Sequence, residues 1–231
     1  MLKTLLPAAL VAVTTLTAAP AAATVIDVDP QASSVFGSTA AEQWRVITKF
    51  SVNGNESGNV YAGAFRLESN AGGALSEFLA FCLQPLEPLD LTKDYALGSL
   101  FSQTINENLN TLAANAWDLV TDSTSAGAFQ LAAWEITTET QRSFGLEDGD
   151  FQVTSNRTDS NAAEALAETW LGNLNNDIWT YEGDDYAILN ASGTQDLLTN
   201  VSAVPLPASG LLLLGGLFGA GAVARRKKQK A

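Results

Sequence analysis

The 231-residue chain has no histidine, one cysteine, one methionine, and only 12 Lys and Arg against 25 Asp and Glu. Without histidine there is no Ser-His-Asp or Cys-His catalysis and no histidine metal site. The single cysteine, Cys82, excludes an intramolecular disulfide. Positive charge is scarcest in the middle: residues 24–204 hold all 25 acidic but only six basic residues, a net charge of −19. Such a surface repels phosphate backbones, so no nucleic-acid partner is expected. It suits a surface protein whose acidic residues keep it soluble, with divalent-cation binding as the lesser reading. An ordinary hydrolase is hard to build from what remains. The reading is therefore non-enzymatic, with no cofactor.

What is present begins at the two ends. Lys3 precedes an apolar run from Leu5 to Ala19, and "APAAA" follows before Thr24. A basic start, an apolar stretch and small residues at an A-x-A site predict a secretory signal peptide over residues 1–23. At the other end, no charge occurs between Asp196 and Arg225. Within that gap residues 209–224 form a Gly- and Leu-rich apolar run that predicts a membrane helix. At about 1.5 Å per residue it falls short of a ~30 Å hydrocarbon core, so Val204 to Ala208 would have to extend it. Arg225, Arg226, Lys227, Lys228 and Lys230 then form a cytoplasmic anchor under the positive-inside rule.

The segment "VPLPASGLLLLGGLFGAGAVARRKK" (Pro motif Val204, Pro205, Leu206, Pro207, Ala208, then apolar helix, then basic end) resembles the PEP-CTERM sorting signal in its VPLPA variant. The resemblance implies a Gram-negative bacterium, export, anchoring in the inner membrane during sorting, and then release to the cell surface or matrix. Signal peptidase and an exosortase, a membrane transpeptidase that cuts near the Pro motif, would be the processing partners. The chain thus divides into a signal peptide (1–23), one exported domain (24–203) and a sorting signal (204–231). The middle is long enough for one domain with a real core.

Along that domain the pattern is mixed. "QWRVITKFSV", "VYAGAFRLES" and "LSEFLAFCL" read as three strands of an antiparallel meander, separated by Gly/Asn-rich breaks. Ile105, Leu109, Leu112, Ala116 and Leu119 follow helical spacing. "DSTSAG" reads as an interruption before a second helix, "AFQLAAWEITTET". A third helix is expected over residues 160–174, with Asp159 or Asn161 as its cap. "DIWTYEGDDYAILN" and "TQDLLTNVSAV" read as closing strands. The fold expectation is α+β: an antiparallel β-sandwich or barrel with a helical insertion, its Trp117, Trp134 and Trp170 buried.

Taken singly, Cys82 reads as a small buried packing residue. Gln130 reads as a residue beside the core face of an amphipathic helix and Trp134 as core. Together they resemble a narrower pattern. Bacterial thioester adhesin domains carry an aromatic or Leu before a Cys, and later a TQxA[IV]W segment. Phe81-Cys82 matches the first, and "FQLAAW", with Gln130, Ala132 and Trp134, is similar to the second. Phe129 stands where that pattern has Thr, and Ala133 where it has Ile or Val. The resemblance implies an internal thioester between Cys82 and Gln130, with Phe81 and Trp134 shielding it from water. Such a bond would transfer to an amine, hydroxyl or glycan on a partner surface. A second carboxamide, Gln84, shares the Cys82 strand face but lacks the Glu-Gln context of complement-type thioesters, and ranks below Gln130. Glu147, Asp148 and Asp150 in "LEDGD" are weak calcium candidates, since they lack the EF-hand ligand spacing. Alternatives without a thioester are a structural component of the extracellular polymer and a glycan- or calcium-binding module.

Overall fold

The computed structural model describes residues 25–69, 76–140, 143–181 and 186–200. The expected signal peptide, the Pro motif, the apolar run and the basic end lie outside the described residues. Among the described residues no helix is long and apolar enough to cross a membrane.

The fold is α+β, built on a curled antiparallel sheet that forms a half-barrel, with three helices. Two short strands open it, β1 (Val25–Ile26) and β2 (Asp29–Pro30). The first predicted strand is two: β3 (Arg45–Thr48) and β4 (Phe50–Val52), broken at Lys49. A hairpin joins β4 to β5 (Asn55–Glu56), turning on Asn53 and Gly54 with φ of 50° and 78°. Left-handed backbone at both positions is what Asn-Gly supplies most cheaply. The second predicted strand is also two, β6 (Val60–Gly63) and β7 (Phe65–Glu68), followed by β8 (Phe78–Cys82) and β9 (Tyr95–Leu97). After the helices come β10 (Phe151–Val153), β11 (Ala187–Asn190) and β12 (Leu197–Thr199). No strand covers the "DIWTY" stretch.

The main sheet runs β1-β9-β11-β12-β8-β7-β2; β10-β4-β5 and β3-β6 form two smaller sheets. The curl follows from chain geometry. β1 and β2 lie on opposite edges of seven strands, which would be about 29 Å apart if flat, at ~4.8 Å per strand. Ile26 and Asp29 are three residues apart, a reach of at most about 11 Å. The sheet must bend until its two edges nearly meet.

Helix α1 (Gln103–Ala116) starts at Ser102, whose side chain accepts from the Ile105 N–H, and buries Leu109, Leu112, Ala113 and Ala116. One 3-10 turn, Trp117–Leu119, leads on. Helix α2 (Ser123–Thr138) begins five residues before the expected start. "DSTSAG" is not an interruption: Asp122 accepts from the Ser125 N–H, and the Ser125 hydroxyl accepts from the Asp122 N–H, a reciprocal cap. Every residue of α2 from Ser125 to Ile136 is buried, because the helix packs against α1, β3, β6, β8, β10 and α3 (Thr158–Asn175). Small residues allow this. A Cβ on Gly127 would lie 2.7 Å from Val46 Cγ2 and 3.2 Å from Ala163 Cβ. The α3 cap is a correction: Arg157 occupies it without a capping bond from its side chain, which instead pairs with Asp159 in the first turn at 3.0 Å. Trp117, Trp134 and Trp170 are buried as expected, but Leu119, placed on the core face by its spacing, is exposed, because the 3-10 turn over Trp117–Leu119 breaks the helical period.

Candidate functional site: Cys82 and the carboxamide of Gln130

Cys82 ends β8, and its backbone faces a gap in the sheet. On one side β8 pairs with β12, Leu197 opposite Cys82, and the Leu83 N–H donates to Asp196 O at 2.9 Å. Antiparallel bonds alternate sides, so the N–H and C=O of Cys82 point the other way, toward β7. There the ladder stops at Phe65 opposite Ala80. Two residues further on Gly63 would face Cys82, but Gly63 pairs with Arg45 in the β3-β6 sheet instead. The chain bends at Ala64, whose N–H donates to Trp44 O. A Cβ on Gly63 would meet Trp44 O at 2.1 Å, so this close approach requires glycine.

Gln130 fills the gap. The Cys82 N–H donates to Gln130 Oε1 at 3.0 Å, and Gln130 Nε2 donates to Cys82 O at 2.6 Å. The side-chain amide thus stands in for the missing strand, and buried backbone groups that would otherwise cost about 1–3 kcal/mol each are satisfied. Gln130 is 1% exposed and Cys82 2%. Two further bonds come from the same face of α2 at helical spacing. Trp134 Nε1 donates to Cys82 Sγ at 3.4 Å, and Thr137 Oγ1 donates to Leu83 O at 2.7 Å. Gln130, Trp134 and Thr137 form one stripe laid along Cys82 and Leu83.

The other predicted residues are placed differently. Gln84 uses its side-chain oxygen to accept from the Asp196 N–H at 2.7 Å; only its backbone carbonyl reaches the thiol, at 3.5 Å. Phe81, next to Cys82 on the strand, projects to the opposite face. It packs on Phe129 at 4.3 Å and against Trp117 at 5.5 Å. The rings on the sulfur's side are Phe36, Phe50, Tyr61, Phe65 and Trp134, which with Cys82 line a cavity of about 370 Å³. Glu87 and Gln195 supply its polar edge. Burial pushes the Cys82 thiol up to about 12, against the pull of the Trp134 N–H. At neutral pH it is a protonated, buried thiol.

Thr137 and Gly63 were not singled out from the sequence. Thr137 continues the Gln130-Trp134 stripe by one turn and was legible on that ground. Gly63 was not, because its role comes from a strand exchange between sheets.

The acidic loop binds the chain to itself. Asp150 accepts from the N–H and hydroxyl of Thr140, and Glu139 accepts from the Asp150 N–H at 2.8 Å. Glu135 accepts from the Gly145 N–H at 2.9 Å, and Glu168 from the Leu146 N–H. Glu147 and Asp148 are exposed. Among the described residues no group of three acidic, His or Cys side chains is arranged to hold a metal ion. Glu135 is fully buried, and burial, with Glu139, Glu168 and Asp148 nearby, raises its carboxyl to about 8. No protein-family model, curated protein or solved structure matches this chain.

Proposed function

We propose that this chain is an exported cell-surface or matrix protein, delivered by its C-terminal sorting signal, that attaches covalently through a Cys82–Gln130 thioester. One observation carries the reading: the Gln130 carboxamide is held by both of its polar atoms on the residue that bears the sulfur. The exported domain would be a thioester-type half-barrel with its helices inserted between strands of one sheet.

Sγ attacks Gln130 Cδ as the thiol proton passes to the leaving nitrogen, Nε2. The negative charge developing on Oε1 is met by the Cys82 N–H, which already points at that atom; a preset donor of this kind is how proteins stabilise tetrahedral intermediates. The Cδ–Nε2 bond breaks and the nitrogen leaves as ammonia, carrying the thiol proton. Thiol and amide become thioester and ammonia, with no change of oxidation state. Position and dryness supply the rate. The acyl group is then ready for an amine or hydroxyl on a partner surface, and the protein acts once rather than turning over.

The test is thiol reactivity of the secreted, native protein. Cys82 should resist thiol reagents until methylamine opens the bond, and should then label. Labelling after denaturation alone, without methylamine, would refute the thioester.

A second reading rests on the same bonds. If the amide serves only as the missing strand partner, Cys82 is a packing residue and the protein is a structural component of the extracellular polymer. That reading expects labelling on denaturation.

A further inference from the structure

Trp134 is 4% exposed, and its ring is seated on Phe50 at 5.3 Å and Phe151 at 6.2 Å. Its indole N–H is a donor only, and a buried one normally finds an oxygen. Here it meets Cys82 Sγ at 3.4 Å, while the thiol's own proton is directed at the Gln84 carbonyl. A neutral thiol is a weak acceptor; a thiolate is a strong one. A donor fixed on sulfur therefore stabilises the anion far more than the thiol. Both steps of thioester chemistry place negative charge on that atom. Sulfur must become anionic to attack Gln130, and it must leave as an anion when the acyl group is transferred.

Resting on the thioester reading, we propose that Trp134 is the activating donor of the sulfur, working in bond formation and again in bond transfer. In formation Sγ–Cδ is made, Cδ–Nε2 is broken, and ammonia departs with the thiol proton. In transfer to an amine, N–Cδ is made, Cδ–Sγ is broken, and the thiolate held by the indole takes the proton the amine gives up. The Trp134 bond also opposes the upward pull of burial on the thiol. Its position beside the cavity puts the donor on the side from which a partner would approach.

Trp134→Phe keeps a ring against Phe50 and Phe151 and removes the N–H. Two measurements separate this role from packing and from the thioester itself. The first is the rate at which methylamine opens the bond in full-length secreted protein, expected to fall about tenfold, as for loss of one hydrogen bond to a charged group. The second is the profile of Cys82 alkylation rate by iodoacetamide over about pH 7 to 9 in a Gln130→Glu background, where no thioester can form. There Trp134→Phe should lower the whole profile about tenfold, because the thiolate fraction falls with the lost donor. If the phenylalanine variant does not fold, benzothienylalanine at position 134 preserves the indole shape without the N–H. Unchanged opening rate and unchanged alkylation profile in a folded variant would overturn the proposal. A lowered profile in a protein whose wild type labels freely would remove the thioester and leave the donor's action on sulfur standing.

Discussion

Replacing Glu135 by Gln should stabilise the protein at neutral pH, and by an amount that grows with pH. Glu135 Oε1 accepts from the Gly145 N–H, whereas Oε2 is buried without a partner. Glu139 from the same helix, Glu168 from α3 and Asp148 from the loop all oppose its ionisation. Its carboxyl sits at about 8 in the fold against 4.5 for a free glutamate. Between those values the native state holds a proton that the unfolded chain releases. Stability from this group is thus complete below about pH 4.5 and falls as pH rises through about 8. At 1.36 kcal/mol per unit, the loss is about 3 kcal/mol by pH 7. Glutamine keeps the acceptor for Gly145 and has no proton to lose. The assay is thermal unfolding of wild type and Glu135→Gln by circular dichroism from about pH 5 to 9. The difference in melting temperature should open from near zero to roughly 6–12 °C at pH 7 in favour of the variant, taking about 2–4 °C per kcal/mol for this size. A difference that stays flat across that range would refute the buried, protonated carboxyl.

Three further outcomes follow from the fold and the tail. Asp122→Ala removes the reciprocal cap on α2 and should cost about 1 kcal/mol, read as a lower urea midpoint with an unchanged slope. Gly63→Ala drives a Cβ into Trp44 O and should cost about 1–3 kcal/mol in a melt, while Gly58→Ala, where a Cβ meets nothing within 4 Å, should not lower the melting temperature. An epitope tag placed after Ala231 should be lost from the surface protein in a strain with an exosortase and retained in one without; retention in both would end the sorting proposal.

The parts of the fold that were legible in the sequence are those set by local pattern. The spacing of Leu109, Leu112 and Ala116 marks the buried face of α1 because that helix has one wet side. α2 has none, so periodicity says little about where it begins, and its Ser, Thr and Gly residues look like a loop until Asp122 is seen capping them. The breaks at Lys49 and Ala64 are invisible in the alternation of apolar residues, since the pattern runs on unchanged while the chain moves from one sheet to another. The pairing of β1 and β2 with opposite edges of the main sheet is likewise non-local. At the candidate site, a strand carrying Cys82 and a helix carrying Gln130 were readable in the right order, and the fold brings the Gln130 side chain onto the backbone of Cys82. What made room for the amide was not readable: the vacancy beside Cys82 exists only because Gly63 pairs with Arg45. The opposite projection of Phe81 was readable from strand alternation alone, and it moves that ring from the sulfur's side to the Phe129 cluster.

Intact mass of the secreted, native protein tests the central proposal most directly. The wild type should weigh one ammonia less than its processed sequence, Cys82→Ala and Gln130→Ala should each restore the full mass of their own sequence, and Gln84→Ala should keep the deficit, because its side chain is committed to Asp196. Full sequence mass in the wild type, with one free thiol, would contradict the thioester and leave Gln130 as the strand partner that β8 lacks.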